Sequence, residues 1–292
     1  MNRALNRGLR AICRSGFSLT LLLTLAAATA HAAAPAQRIV SLAPHLTELA
    51  FDAGAGDRIV ATVEYSNHPD AARSIPRIGD AFRVDLERLL ALRPDAVLVW
   101  ESGTPAPTVE RIRALQLPVI SFQTQRLEHV AIVLRAIGKL AGTSEAADRA
   151  AAGYERHIQE LRDQYRERAP LRVFIEVDDR PLYTVNGQQI ISEIVELCGG
   201  RNVFADLSEL APAIGIESVI AANPQVIVST DDTVADAAAV WSRWRHIEAV
   251  RTGNVYTLRS DDIARATTRL TVAVQTVCRT LDTARQRLRP PR

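Results

Sequence analysis

Asp85-Leu-Glu-Arg-Leu-Leu-Ala-Leu-Arg-Pro-Asp-Ala-Val-Leu-Val and, 130 positions further on, Gly215-Ile-Glu-Ser-Val-Ile-Ala-Ala-Asn-Pro-Gln-Val-Ile-Val-Ser follow one template. Leu86, Leu89 and Leu90 in the first copy, and Ile216, Val219 and Ile220 in the second, recur at helical spacing. Pro94 and Pro224 cannot continue a helix. The runs that follow, Ala96 to Val99 and Val226 to Val228, are wholly apolar, as central strands of a parallel sheet covered on both faces should be. Each copy sets a glutamate, Glu87 or Glu217, in the first helical turn. The template predicts two similar lobes, each presenting a carboxylate in the same place, an arrangement suited to docking both halves on a two-fold partner. Helix, proline, strand is also common grammar in any α/β protein, so the repeat needs a second witness.

That witness is Glu48-Leu-Ala-Phe-Asp-Ala-Gly-Ala-Gly-Asp-Arg-Ile-Val, which resembles Glu193-Ile-Val-Glu-Leu-Cys-Gly-Gly-Arg-Asn-Val-Phe. In both, a helix is closed by glycines before an extended segment. The first lobe, 35–142, reads as strands at Arg38 to Ala43, Ile59 to Val63, Ala96 to Trp100 and Pro118 to Phe122. Helices fall between and after them at Leu46 to Ala53, Leu86 to Leu92, Thr108 to Leu115 and Leu127 to Leu140. Such alternation calls for a mainly parallel sheet. Residues 143–169 are charged and free of proline, with an apolar stripe at Ala146, Ala150, Tyr154, Ile158, Leu161 and Tyr165, which predicts a long helix joining the lobes. The second lobe, 170–292, repeats the alternation: a strand from Leu171, helices at Ile190 to Leu197 and Trp241 to Arg245, a strand at Val255 to Leu258, and a final helix from about Thr267 to Leu288. Either lobe is long enough for a core of its own.

Residues 1–34 read as a cleaved secretory signal: four arginines, an apolar stretch from Phe17 to Ala28, and the small-x-small site Ala30-His31-Ala32. The mature protein is expected to be soluble and outside the cytoplasm, with cleavage near Ala32. Removing the leader's four arginines from the 35 basic residues leaves 31 against 33 acidic, a net charge of −2. That balance argues against nucleic acid, whose phosphates require a clustered basic surface. The apolar stretch is too short for a span, so the protein is not expected to be embedded in the membrane. Cys198 and Cys278 survive processing, and in an oxidising compartment pairing is the default, against two separate buried thiols.

Enzyme signatures are sparse. The chain carries no Gly-x-Ser-x-Gly, no phosphate loop, no Cys-x-x-Cys and no His-Glu-x-x-His. His45 and His68 follow strands and are placed to reach a cleft; with an acid such as Glu64 they would support a secreted α/β hydrolase or metalloenzyme, the competing class. Neither a catalytic residue nor a resident metal is assigned. Tyr65, Trp100 and the segment Asp261 to Arg265 instead lie at strand ends, where open parallel sheets bind ligands. Phe82 precedes the first repeated helix. Aromatic faces with one or two charged groups suit a large, flat, partly polar ligand.

These residues resemble the periplasmic substrate-binding proteins of ABC importers for cobalamin, haem and iron siderophores, and are most similar to the cobalamin-binding members. The similarity rests on Arg38-Ile-Val-Ser-Leu-Ala-Pro-His-Leu-Thr-Glu-Leu-Ala-Phe, on Leu197-Cys-Gly-Gly-Arg-Asn-Val-Phe and on the two glutamate repeats. The resemblance implies an α/β fold of two lobes on one helical backbone, no enzymatic activity, and a monomer. It implies a corrinoid carried as ligand rather than as cofactor, and delivery to a dimeric inner-membrane ABC permease that Glu87 and Glu217 contact. It further implies cleft roles for Tyr65, Phe82, Trp100, Asp261 and Arg265, and a Cys198–Cys278 bridge. Phe82 and Ala211 stand where family tryptophans do. Haem-binding relatives place a tyrosine beside a glycine where this chain has Gly79-Asp80.

Overall fold

The computed structural model describes residues 34–80, 82–230 and 236–289, so the leader lies outside it except for Ala34. Four strands, β1 (Ile39–Ser41), β2 (Ile59–Ala61), β3 (Ala96–Trp100) and β4 (Val119–Phe122), form a parallel sheet in the order β2-β1-β3-β4. Helices α1 (Pro44–Asp52), α2 (Leu86–Ala91), α3 (Ala106–Ala114) and α4 (Leu127–Ala141) alternate with them. After α5 (Ser144–Tyr165) the pattern resumes with β5 (Leu171–Glu176), the hairpin β6 (Asp178–Asp179) and β7 (Leu182–Tyr183), α6 (Ile190–Leu197), β8 (Gly200–Asn202), α7 (Ile216–Ala222) and β9 (Val226–Ser229). The chain continues through α8 (Ala237–Trp241), α9 (Glu248–Arg251), β10 (Val255–Thr257), α10 (Ser260–Ile263) and α11 (Leu270–Leu288). The second sheet, all parallel, runs β10-β9-β5-β8. Counted along the chain, both sheets have the strand order 2-1-3-4.

The duplication extends to individual bonds. Ile39 pairs with Ala96 and Val173 with Val226. One residue earlier, the Asp95 amide donates to the Arg38 carbonyl at 3.0 Å, and the Gln225 amide to the Arg172 carbonyl at 2.9 Å. Arg38 Nε donates to the Leu92 carbonyl at 2.9 Å and Arg172 Nε to the Asn223 carbonyl at 3.3 Å, each tying the opening strand to the end of the glutamate helix. Arg93 and Asn223, just before the two prolines, both have left-handed backbone, with φ of 45° and 40°. The helix turns off into its strand in the same way in both lobes.

The expectation of two self-contained cores needs correction. The outer face of each sheet has its own small cluster, around Val40, Val97 and Leu89 in the first lobe and around Phe174, Ile227 and Trp241 in the second. Their inner faces belong to one cluster that runs from Ile39 and Leu98 through α4 and α5 to Val173 and Val228. Helix α5, about 33 Å long, joins these halves. Its buried stripe begins at Ala147 and Ala151 rather than at Ala146 and Ala150, then follows Tyr154, Ile158 and Tyr165 as predicted. The cause is Gly138 of α4: a Cβ there would lie 2.3 Å from that of Ala147, so the two helices approach too closely for anything larger. Helix α8 starts earlier than the predicted Trp241 to Arg245 because Asp236 caps it, accepting the Ala238 amide at 2.9 Å.

Cys198, at the end of α6, is bonded to Cys278 in the middle of α11 at an S–S distance of 2.00 Å. Closing an 80-residue loop stabilises the fold by about 4 kcal/mol on the chain-entropy account.

Two ion pairs cross between the lobes in opposite directions. Glu48 of α1, 1 % exposed, accepts Arg269 Nε at 2.7 Å and Nη2 at 3.0 Å; Arg269 is the residue before α11. Glu193 of α6, 8 % exposed, accepts the Leu127 amide at 2.8 Å and faces Arg126 Nε at 3.3 Å; Arg126 is the residue before α4. Glu48 and Glu193 are the matched positions of the second repeat, so each lobe grips the other through the same pair of elements. Removing one buried acceptor leaves an arginine that can still reach water, which places the loss below that of a fully buried pair. Glu48→Gln and Glu193→Gln are each expected to destabilise by about 2 kcal/mol in urea unfolding; a change below about 0.5 kcal/mol in both would reduce the clasps to ordinary surface pairs.

Candidate ligand cleft and docking faces

Tyr65 follows β2 in a short loop, 74 % exposed, with a left-handed φ of 64°. This loop is joined to the one that carries Phe82: the Ile78 amide donates to the Thr62 carbonyl at 2.9 Å and the Glu64 amide to the Gly79 carbonyl at 2.8 Å. The turn that follows requires glycine at position 79, where φ is 136° and a Cβ would lie 1.9 Å from the Arg83 carbonyl oxygen. Asp80 then closes it by accepting the Phe82 and Arg83 amides, both at 2.8 Å, and those bonds hold its carboxyl below the usual range. Phe82 is left 75 % exposed.

Trp100 ends β3, half-buried, with its ring set edge-on to His45 at 5.1 Å and 84°. The indole Nε1 is buried and has no hydrogen-bond partner among the described residues. His45 reaches no cleft as a free base: it lies in α1, 6 % exposed, with Nε2 3.3 Å from Thr124 Oγ1. The companions proposed for it in a hydrolytic or metal site, Glu64 and His68, are exposed. Among the described residues no three His, Cys, Asp or Glu side chains converge to hold a metal ion. Nor, among them, is any helix long and apolar enough to cross a membrane.

From the second lobe, Asp261 and Arg265 form an ion pair at 2.7 Å, and Arg265 Nη1 donates to Asn67 Oδ1 of the Tyr65 loop at 2.9 Å. The structure therefore brings the Tyr65 loop and the Asp261–Arg265 pair together across the lobes through Asn67, with Phe82 on the loop bonded to that of Tyr65, while Trp100 stands against His45. Asn67 and His45 complete the group. Asn67 carried no sequence signal, and His45 was read as cleft-facing rather than as a support. A groove of about 380 Å³ between the end of β10 and α11, lined by Leu258, Arg259, Ile263, Val272 and Val277, contains none of these residues.

Glu87 and Glu217 lie in the first turns of α2 and α7, both exposed, and among the described residues neither carboxylate has a hydrogen-bond or ion-pair partner. The Asp85 side chain caps α2 by accepting the Arg88 amide at 2.9 Å, which leaves Glu87 free of that duty; Gly215 precedes α7 without a side-chain cap.

Burial, and then the Arg265 charge, pushes the His45 imidazole down from 6.5 to about 3. Below pH 6.5 the unfolded chain therefore binds a proton that the folded chain refuses, and stability falls with falling pH by about 1.4 kcal/mol per unit until about pH 3. His45→Gln is expected to remove that slope from urea unfolding measured between pH 7 and 5. Asp52, raised by burial above its ordinary 3.8, acts with the opposite sign in both proteins, so their difference isolates His45. Parallel pH profiles would contradict a neutral, buried imidazole.

A family profile described as periplasmic binding protein matches residues 39–261. The vitamin B12-binding protein of Vibrio cholerae is 34 % identical over 253 residues, covering 86 % of this chain and 91 % of its relative. The crystal structure of a periplasmic vitamin B12 binding protein of Vibrio cholerae superposes with a TM-score of 0.81 at 34 % identity, covering 86 % of this chain and 99 % of that one. A periplasmic haem-binding protein solved with two haems shares the fold, with a TM-score of 0.77, 23 % identity, and 85 % and 98 % coverage. The fold of two parallel sheets is thus shared with solved periplasmic binding proteins, and this chain belongs to the periplasmic binding protein family.

Proposed function

We propose that this protein captures cobalamin or a related corrinoid between its lobes and delivers it to a dimeric inner-membrane ABC importer. The observation that carries the reading is the 34 % identity, across nearly the whole length of both chains, to a protein named for vitamin B12 binding. The site supports it with flat aromatic surface on one lobe and a charged pair on the other. On this reading the leader is cleaved near Ala32 and the receptor works in the periplasm as a monomer of two lobes, 35–142 and 170–292, on the helix 143–169. Tyr65, Phe82 and Trp100 supply faces for the corrin ring and its substituents, and Asp261 with Arg265 supplies polar contacts for the amide side chains. No bond is made or broken in the cargo. The shared inner core and the two clasps restrict closure to a small hinge motion, so release depends on the permease parting the lobes while it holds Glu87 and Glu217.

Titration of the purified mature protein with cyanocobalamin, cobinamide, haem and a ferric siderophore tests the cargo. Corrinoids are expected to quench tryptophan fluorescence, and Trp100→Phe to remove most of that response, because the other two tryptophans, Trp241 and Trp244, sit in the outer cluster of the second lobe. Quenching by haem alone would move the reading to haem transport, with exposed Tyr65 as the first candidate axial ligand.

Docking is tested separately. Glu87→Lys and Glu217→Lys together are expected to abolish uptake of cyanocobalamin by cells while leaving the affinity of the isolated receptor within about twofold. Transport at the unaltered rate would remove both glutamates from the docking role.

A further inference from the structure

Tyr65 adopts a backbone conformation that an aromatic residue rarely takes, and its surroundings show what holds it there. A φ of 64° at a bulky L-residue disfavours the conformation by roughly 5- to 30-fold against the ordinary regions. The ring, 74 % exposed, has no ring stacking or hydrogen bond among the described residues that would compensate. Its neighbour differs in every respect. Ser66 is 1 % exposed and stands at the head of four hydroxyls that are closed to solvent, the others being Thr62, Thr47 and Ser41, all 0 % exposed.

The distances form a chain: Ser66 Oγ to Thr62 Oγ1 2.8 Å, Thr62 Oγ1 to Thr47 Oγ1 2.6 Å, Thr47 Oγ1 to Ser41 Oγ 2.9 Å, and Ser41 Oγ to the Ala43 carbonyl 3.1 Å. Thr47 donates to Ser41 or, at 3.2 Å, to the Ala43 carbonyl, so its one proton is used on that side; Ser41 donates to the same carbonyl, and Ser66 Oγ also lies 3.5 Å from Thr47 Oγ1. Each hydroxyl has one proton, so Thr62 donates to Thr47 and Ser66 to Thr62. The relay runs from the loop through the end of β2 and α1 to the end of β1. Buried hydroxyls are costly unless paired, and a paired chain is directional in a way that apolar packing is not. Three further bonds hold the same short segment: the Ser66 amide donates to the Val63 carbonyl at 3.3 Å and closes the turn that contains Tyr65, Arg77 Nη2 donates to the Ser66 carbonyl at 2.8 Å, and the Asn67 amide to the Tyr65 carbonyl at 2.9 Å.

We infer that Ser66 is the positioning residue of the candidate ligand-contacting tyrosine: its hydroxyl, at the head of the Thr62–Thr47–Ser41 relay, fixes Tyr65 in the left-handed conformation that presents its ring to the cleft. The inference rests on the reading of Tyr65 as a cleft residue. It goes beyond that reading by assigning affinity to a buried serine that touches no cargo. Strain concentrated beside a binding surface, and held by an over-determined neighbour, is the expected form of such an arrangement.

The test is a double-mutant cycle read by cyanocobalamin titration of the full mature protein. Ser66→Ala is expected to weaken binding by about 5- to 30-fold when Tyr65 is present and to have no further effect on a Tyr65→Ala protein. Thr62→Val, which keeps the shape but breaks the relay one step further in, is expected to reproduce both results. Equal losses with and without Tyr65, or no loss in either, would overturn the assignment in favour of a merely structural serine. A second readout is independent of cargo. The chain has five tyrosines, so isotopically labelled tyrosine gives few backbone signals, and that of Tyr65 is identified by its disappearance in Tyr65→Phe. Its chemical shifts are expected to leave the left-handed range in Ser66→Ala, and unchanged shifts would refute the positioning role. If cyanocobalamin does not bind the wild-type protein, the proposed function falls, while the Tyr65 signal still decides this inference.

Discussion

Everything that distinguishes this molecule from two separate α/β domains depends on how its halves are held, and the reciprocal carboxylate clasps are the most directional part of that hold. A shared apolar cluster brings the inner faces together without fixing their angle, because hydrophobic contact is non-directional. Helix α5 fixes a distance but leaves rotation about its ends. Glu48 with Arg269, and Glu193 with Arg126 and the Leu127 amide, add hydrogen bonds of defined direction at the two points where α11 and α4 begin. The acceptors are buried and the arginines half-exposed, so each clasp has a fixed end and a solvated one. That asymmetry makes the joint firm without requiring a fully desolvated ion pair.

Much of this architecture was legible because the chain is repetitive. The two glutamate templates predicted matching helix-strand units in two similar lobes through a short list of local rules: helical spacing, a proline stop, an apolar run; the shared strand order is a finding of the structure. The second echo, Glu48 with Glu193, was legible only as a helix closed by glycines. Its clasping role was not, because the partners lie 221 and 66 residues away. The hairpin at Asp178 to Tyr183 has two-residue strands and offers no periodicity to detect. Helix α8 was misplaced for a related reason, since five residues are too few for an apolar stripe and its start is set by one capping carboxylate.

The candidate site was legible as residue types at strand ends and not as contacts. Trp100 and the Asp261 to Arg265 segment could be nominated from position alone. That Arg265 meets Asn67, 198 residues away, depends on the lobe geometry and on no local pattern. His45 illustrates the converse error. A histidine after a strand suggests an accessible base, yet the first turn of α1 turns it inward beneath Trp100, where burial keeps it neutral. Its contribution is a shape and an edge, not a proton.

On the proposed function, the repeat and its departures divide the labour between two kinds of partner. On that reading, Glu87 and Glu217 are equivalent docking carboxylates: both lie exposed in a first helical turn, as a two-fold permease would require of both arms. The strand ends above them do not remain equivalent. Matching Ala96 with Val226 sets Trp100 against Thr230, which is buried and donates its hydroxyl to the Glu176 carbonyl at 3.2 Å. One lobe has kept aromatic surface at Tyr65, Phe82 and Trp100, while the other offers an acid and an arginine. A cargo with a broad ring and a fringe of amides is itself unsymmetric, and two identical jaws would suit it poorly. On the proposed function, symmetry survives where the receptor meets a symmetric importer and has been lost where it meets an asymmetric ligand.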